Sequence, residues 1–148
     1  MKTSRRKLDL QANPLVVLLV ETSEDYAALF TRRIAKVARH WQVIKVSDGQ
    51  RAVQHMIHNG FPALFVTCLQ TPRLSAVDVV EWIRTMKSPA PVPVLIYDDS
   101  PPALLRTRLS ELGGIDYLDK HAPEEKLRQV LAYLIEKIER SNFKVSVP

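Results

Sequence analysis

The 148-residue chain is long enough for one compact core and too short for two ordinary domains. Apolar residues make up 46% and charged residues 25%, which is typical of a folded domain and favours it over a disordered chain. The single cysteine, Cys68, excludes an intramolecular disulfide and a multi-cysteine zinc site, and no apolar run approaches the roughly 20 residues of a membrane span. We therefore expect a cytoplasmic protein that does not enter the membrane.

The net charge of +5 is concentrated at the N-terminus. Residues 1–14 contain four basic residues and one acidic residue, and so carry +3 of the total. We expect this segment to be a basic, flexible tail. Because the rest of the chain carries only +2, the charge disfavours nucleic acid as a partner. Nucleic-acid binding through the tail and the arginines of the fourth predicted helix is kept as an alternative.

Apolar runs and amphipathic segments alternate along the chain. The first run, residues 15–20, is typical of a strand buried on both faces, and Ser23 can cap the helix that follows, which we expect to end near His40. Asn59-Gly60 closes a second amphipathic helix, Ser75 can cap a third, Gly113-Gly114 ends a fourth and Pro123 opens a fifth. The further predicted strands are residues 42–46, 63–68, 93–97 and 115–118.

Five strands that alternate with five helices predict an α/β fold, a doubly wound three-layer α/β/α sandwich around a parallel sheet. We assign residues 15–140 to this domain and residues 141–148 to a C-terminal tail. In such sheets, ligands bind beyond the carboxyl ends of the strands. The residues at those ends are the candidates for a functional site: Glu21, Thr22, Cys68, Asp98, Asp99 and Lys120.

Several local patterns between Leu15 and Ile138 resemble the response-regulator receiver family of two-component signalling. They are Leu18-Leu19-Val20-Glu21, Ser47-Asp48-Gly49-Gln50-Arg51-Ala52, Pro72 four residues after Cys68, and Gly113-Gly114-Ile115-Asp116-Tyr117-Leu118-Asp119-Lys120. The resemblance implies the flavodoxin-like receiver fold, with five parallel strands in the order 2-1-3-4-5. It also implies that Tyr117 matches the switch aromatic of that family and Lys120 its invariant lysine.

In that family, two acidic residues and the phosphoacceptor aspartate hold magnesium, and a hydroxyl residue and the lysine contact the phosphoryl group. By position, Glu21 fills the first acidic place, but Thr22 stands in the second, Cys68 at the phosphoacceptor and Asp98 at the hydroxyl residue. A thiol is a soft ligand that cannot form the acyl phosphate, and a carboxylate at position 98 would repel a phosphoryl group. The resemblance therefore implies a degenerate pseudo-receiver with no enzymatic activity, no metal and no cofactor.

The remaining charges suggest what replaces this chemistry. We hypothesise a permanent ion pair between Asp98 and Lys120 that fixes the switch surface in one state. Cys68 is expected to be a buried, unreactive side chain, with a redox role as the alternative.

The function implied is a phosphorylation-independent regulatory protein–protein interaction module in signal transduction. A sensor kinase, a transcription regulator or another receiver would be the partner, and a homodimer is left open. By resemblance, the partner face consists of Arg106, Arg108, Tyr117, Lys126 and Arg128. The alternative to this function is a receiver that is phosphorylated at a non-standard aspartate, Asp98 or Asp99.

Overall fold

The computed structural model describes residues 15–69, 71–86, 91–99 and 103–146, with side chains through residue 141. The predicted basic tail, residues 1–14, lies outside the described residues. Five strands form one parallel sheet in the order β2-β1-β3-β4-β5, which confirms the predicted strand order. They are β1 (Val16–Val20), β2 (Gln42–Val46), β3 (Leu64–Thr67), β4 (Val94–Asp98) and β5 (Ile115–Asp119).

Five helices alternate with these strands. They are α1 (Glu24–Val37), α2 (Gly49–Asn59), α3 (Ala76–Thr85), α4 (Ala103–Leu112) and α5 (Glu124–Ser146). Ser23 caps α1 by accepting a hydrogen bond from the Tyr26 amide, and Ser75 caps α3 by accepting one from the Asp78 amide, as the sequence predicted. Helix α1 ends at Val37, whereas its end was predicted near His40.

The strand residues divide between two apolar clusters, because successive side chains of a strand point to opposite faces of the sheet. In β1, Val17 and Leu19 join the cluster formed with α1 and α5, whereas Leu18 and Val20 join the cluster formed with α2, α3 and α4. The structure is therefore a three-layer α/β/α sandwich in which both faces of the central strands are buried.

The C-terminal helix continues further than the sequence suggested. We expected a tail from residue 141, but α5 extends to Ser146. No glycine or proline interrupts the chain between Pro123 and Pro148, an ion pair joins Arg140 to Glu136 one turn earlier, and Ser141 Oγ donates to the Lys137 carbonyl. These contacts continue the helix past the domain core.

Two contacts position the loops around the sheet. The Arg84 guanidinium donates hydrogen bonds to the carbonyl oxygens of Val92 and Gly113, which ties the end of α3 to the starts of β4 and β5. Gly49 opens α2 where an added Cβ would lie only 2.2 Å from the Leu74 carbonyl oxygen, so the loop before α3 packs directly on this backbone. None of the described helices combines the length and apolar character that a membrane span requires.

Candidate functional site

The carboxyl ends of the strands bring the candidate residues to one edge of the sheet. Glu21 follows β1, Cys68 follows β3, Asp98 is the last residue of β4 and Lys120 follows β5. Glu21 is only 1% exposed and Cys68 6%, whereas Thr22 is exposed and Asp98 is half-buried. Glu21 and Cys68 are therefore buried at this edge, Asp98 and Lys120 are half-buried, and Thr22 is exposed.

The ion pair at this edge joins Lys120 to Glu21, not to Asp98. Lys120 Nζ lies 2.7 Å from Glu21 Oε1, and the two side chains are 10% and 2% exposed. Apart from this ion pair, Oε1 has no hydrogen-bond partner, while Oε2 accepts a hydrogen bond of 3.0 Å from the Ser23 amide. The hypothesis of an Asp98–Lys120 ion pair is therefore wrong.

The alternation of strand side chains explains why Lys120 pairs with Glu21 and not with Asp98. Glu21 and Lys120 each stand two residues after a strand position, Leu19 and Leu118, that belongs to the α1/α5 cluster. Asp98 instead stands two residues after Ile96, which belongs to the cluster on the opposite face. Lys120 and Glu21 thus meet on one side of the sheet, and the Asp98 side chain lies on the other.

Two tyrosine rings complete the surroundings of Lys120. Its ammonium lies 4.5 Å from the centroid of the Tyr26 ring and 5.9 Å from that of Tyr97, and the two rings pack edge to face at 6.1 Å. Such contacts stabilise a desolvated cation. Burial, followed by the neighbouring Tyr26 and Glu21, raises the pKa of Tyr97 to about 12. Neither tyrosine was predicted as a site residue, although Tyr97 shares the strand alternation of the α1/α5 face.

Asp98 is held by backbone groups. Its Oδ2 accepts a hydrogen bond of 2.6 Å from the Leu69 amide, and its Oδ1 accepts one of 2.7 Å from the Asp99 amide. The main-chain carbonyl of Asp98 accepts a hydrogen bond of 3.0 Å from the Lys120 amide. Asp98 and Lys120 are therefore joined through their main chains, while each charged side chain has a different partner.

Cys68 is a buried thiol. Burial, followed by the charge of Glu21, raises the pKa of Cys68 from 9.0 to about 11, although nearby Lys120 acts in the opposite direction. The thiolate is the reactive form of cysteine, and it is scarce at neutral pH when the pKa is this high. The burial of Cys68 was expected, and its lack of reactivity stays a prediction.

The residues at this edge do not fit a magnesium ion. Magnesium takes oxygen ligands in near-octahedral geometry, but Cys68 offers a protonated sulfur and the Glu21 carboxylate already contacts the Lys120 ammonium. Thr22, at the second acidic place, is exposed and uncharged.

A second cluster of polar side chains lies beside this edge. Asp99, Asp119 and His121 are exposed, and one ligand atom from each lies within 4.8 Å of the others. His121 Nε2 lies 2.8 Å from Asp99 Oδ1, and the His121 amide donates to Asp119 Oδ1. Carboxylates and imidazole are metal-ligating groups, but their exposure is equally typical of an ordinary polar surface.

The predicted partner face is formed by α4, β5 and α5. The half-buried Tyr117 donates a hydrogen bond of 3.1 Å from its hydroxyl to the Arg106 carbonyl, and the Arg106 guanidinium lies 5.3 Å from its ring centroid. Arg108 pairs with Glu81 and Arg128 pairs with Glu125, and Lys126 is exposed. Tyr117 therefore contacts Arg106 through both its hydroxyl and its ring.

Solved structures similar to this chain are receiver domains. The signal receiver domain of a Luxo repressor protein from Vibrio parahaemolyticus has a TM-score of 0.74 at 25% identity, over 88% of this chain and 96% of its own. The receiver domain of a signal transduction histidine kinase from Syntrophus aciditrophicus has a TM-score of 0.69 at 20% identity, over 85% and 93%. A phosphorylated cyanobacterial phytochrome response regulator has a TM-score of 0.69 at 21% identity, over 83% and 92%.

No protein-family model and no curated protein sequence matches the chain. The structural likeness nevertheless covers 88% of the chain, in agreement with the motifs around Glu21, Pro72 and Lys120. The chain therefore has the fold of the response-regulator receiver domains of signal transduction.

Proposed function

We propose that this chain is a pseudo-receiver: a regulatory protein–protein interaction module in signal transduction that works without phosphorylation. The observation that carries the proposal is the chemistry of the residues at the carboxyl ends of the strands, here called the carboxyl edge. The acceptor position holds the protonated thiol of Cys68, and the charged groups around it, Glu21, Lys120 and Asp98, are each engaged by an internal partner. This edge lacks the ligands and the nucleophile for phosphoryl transfer.

The second hypothesis, phosphorylation at Asp98 or Asp99, receives less support from the geometry. Both carboxylate oxygens of Asp98 accept backbone hydrogen bonds, which stabilise the carboxylate and make it a weaker nucleophile. Asp99 is exposed, and its Oδ1 lies 2.8 Å from His121 rather than beside Lys120. Neither carboxylate has the lysine ammonium close enough for an ion pair to stabilise transferred charge.

Intact-mass measurement separates the two hypotheses. The wild-type chain and the Asp98→Asn and Asp99→Asn variants are incubated with Mg²⁺ and acetyl phosphate. We expect all three masses to stay unchanged. A phosphoryl adduct on the wild type that disappears in one of the two variants would identify that aspartate as an acceptor and refute the proposal.

A partner would dock on the face that contains Tyr117. Arg108 and Arg128 already pair with acidic residues of the chain, so Arg106 and Lys126 are the stronger candidates for contacts to an acidic partner. Leu104, in the same helix as Arg106, is 82% exposed and adds apolar surface. Mixed apolar and basic surface of this kind is typical of recognition between proteins.

Affinity capture from the native cell tests this surface. The wild-type chain is compared with the double variant Arg106→Glu/Lys126→Glu and with Arg32→Glu, an exposed arginine of α1, as the control. We expect a protein retained by the wild type and by Arg32→Glu to be lost with the double variant, with or without acetyl phosphate. Retention that requires the phosphodonor, or that survives the double variant, would contradict the proposal.

A further inference from the structure

An apolar patch lies between the ends of α2 and α3. Ile57, in the last turn of α2, is 63% exposed, and Met86, which follows α3 directly, is 45% exposed. Phe61 follows α2, Trp82 stands one turn before Met86, and the half-buried rings of Phe61 and Trp82 lie 6.1 Å apart. These four residues, here called the α2/α3 patch, keep much of their apolar surface exposed in the described part of the chain. Exposed apolar patches commonly mark a binding surface.

The chain enters the sheet close to this patch. The carbonyl of Val16, the first residue of β1, accepts a hydrogen bond of 2.8 Å from the Ala63 amide. Ala63 is only two residues after Phe61 in the sequence. From the spacing of strands and of residues along the chain, Val16 therefore lies within about 12 Å of Phe61. Residues 1–14, which are outside the described residues, join the fold at this place.

The sequence before β1 contains a short alternation of polar and apolar residues. It reads Lys7-Leu8-Asp9-Leu10-Gln11. In an extended segment, successive side chains point to opposite sides, so the two leucines share one side and the polar residues the other. Leu10 is five residues before the half-buried Leu15, and an extended chain spans at most about 18 Å over that distance. The leucines can therefore reach the α2/α3 patch.

The size of the patch and the covalent link favour this segment over a separate molecule. Four side chains are few for an interface between two proteins, to which each partner typically contributes about 20–30 residues. A short flexible linker, by contrast, gives the segment an effective concentration in roughly the millimolar range. A contact made by two leucines is consequently populated within one chain, although it would be too weak between separate molecules.

We infer that residues 8–10 dock on the α2/α3 patch of the same chain, with the side chains of Leu8 and Leu10 against Phe61 and Trp82. Docking removes the apolar surface of both partners from water. It also determines where the basic residues at positions 2–7 leave the domain, at the amino ends of the strands and away from the carboxyl edge. The contact involves neither Tyr117 nor the carboxyl edge, so it is independent of the proposed function.

NMR of the full chain tests the docking. The wild type is compared with Leu8→Ser/Leu10→Ser, in samples labelled at the methyl groups of isoleucine, leucine and methionine and at the tryptophan indoles. Lys7→Ser/Asp9→Ser is the matched control, because it changes the same stretch, keeps both leucines and leaves the net charge unchanged. Both variants keep every described residue, so the fold of the domain should be the same in all three proteins, which circular dichroism checks.

We expect nuclear Overhauser effects between the methyl groups of residues 8 and 10 and those of Ile57 and Met86, in the wild type and in the control. These effects should be lost in the leucine variant, with shifts of the Ile57 and Met86 methyl resonances and of the Trp82 indole resonance. Acrylamide should also quench tryptophan fluorescence more strongly in the leucine variant, because Trp82 is then uncovered. Trp41 is 6% exposed and contributes equally in all three proteins.

Three results would overturn the inference. The first is a wild-type chain without nuclear Overhauser effects between the leucines and the patch. The second is equal shifts at the patch in the leucine variant and in the control. The third is shifts at the patch that disappear when the wild-type chain is diluted, because the patch would then bind a second copy of the chain or a segment from it.

Discussion

Replacement of Lys120 by methionine should strongly destabilise the fold. The methionine side chain would keep a similar length but remove the ammonium that lies 2.7 Å from the Glu21 carboxylate. Because Glu21 is 1% exposed, its charge would stay buried without a counter-ion. Breaking a buried ion pair from one side typically costs about 3–5 kcal/mol, and loss of the contact with the Tyr26 ring adds about 0.5–2 kcal/mol.

Urea unfolding followed by circular dichroism measures this cost in a double-mutant cycle. We expect Lys120→Met to lower the free energy of unfolding by at least about 3 kcal/mol, and the additional change Glu21→Gln to restore much of it, because no buried charge then remains. Lys126→Met, which removes an exposed lysine, should change stability by less than about 0.5 kcal/mol.

A stable Lys120→Met variant would contradict the expected dependence of buried Glu21 on the Lys120 charge. A decrease in the free energy of unfolding below about 1 kcal/mol is typical of an exposed ion pair. Such a result would mean that Lys120 and Glu21 do not depend on each other for burial. Additive effects of the two substitutions would lead to the same conclusion, because residues in contact normally couple.

Three further outcomes follow from the structure. At pH 8, alkylation of Cys68 by iodoacetamide should be on the order of 100-fold slower in the folded chain than in urea, because its pKa is about 11 rather than 9.0. Because the pKa of Cys68 is higher in the folded chain, the thiol's contribution to the free energy of unfolding is complete below pH 9, and it should be lost in a denaturation series as the pH rises through 11. Equal alkylation rates in the folded and the unfolded chain would contradict the burial of Cys68. Arg84→Lys should lower the unfolding free energy by about 1–3 kcal/mol in urea titrations, because lysine cannot bridge the Val92 and Gly113 carbonyls with a rigid fork. Gly49→Ala should lower the free energy of unfolding by at least about 1 kcal/mol and lower the melting temperature, since the alanine Cβ would overlap the Leu74 carbonyl. An unchanged melting temperature would show that the loop before α3 moves away at no cost.

The fold was predictable because its signals are local and strong. The apolar run at residues 15–20, the serine caps of α1 and α3 and the regular alternation of strands and helices each specify one element. The end of α5 was not predictable in this way. Ser141 is a residue that often ends helices, but here its hydroxyl donates to the Lys137 carbonyl and the helix continues.

The position of the site could be predicted from the sequence, but the residues that form its ion pair could not. The apolar run before Cys68 placed its thiol in the interior, as the structure has it. The neighbouring ends of β4 and β5 suggested an ion pair between Asp98 and Lys120. The alternation of strand side chains, however, places these two residues on opposite faces of the sheet. The same alternation places Tyr97 beside Lys120.

The backbone amides were beyond the reach of sequence patterns. An N–H group is present at almost every residue, so its role depends on the direction of a peptide plane rather than on a side chain. In the peptide unit of the Asp99 amide, the Asp98 carbonyl accepts a hydrogen bond from the Lys120 amide, a contact that forms only when β4 and β5 pair in the folded chain.

The most direct test of phosphorylation independence is an NMR comparison of the backbone amides of the wild-type chain before and after addition of Mg²⁺ and acetyl phosphate. We expect the resonances of Leu69, Asp99, Tyr117 and Lys120 to stay unchanged, because the groups at the carboxyl edge already have internal partners. Saturable shifts at Leu69 and Lys120 together with Tyr117 would show that the edge accepts a phosphoryl group and transmits the change, and would contradict the proposed function.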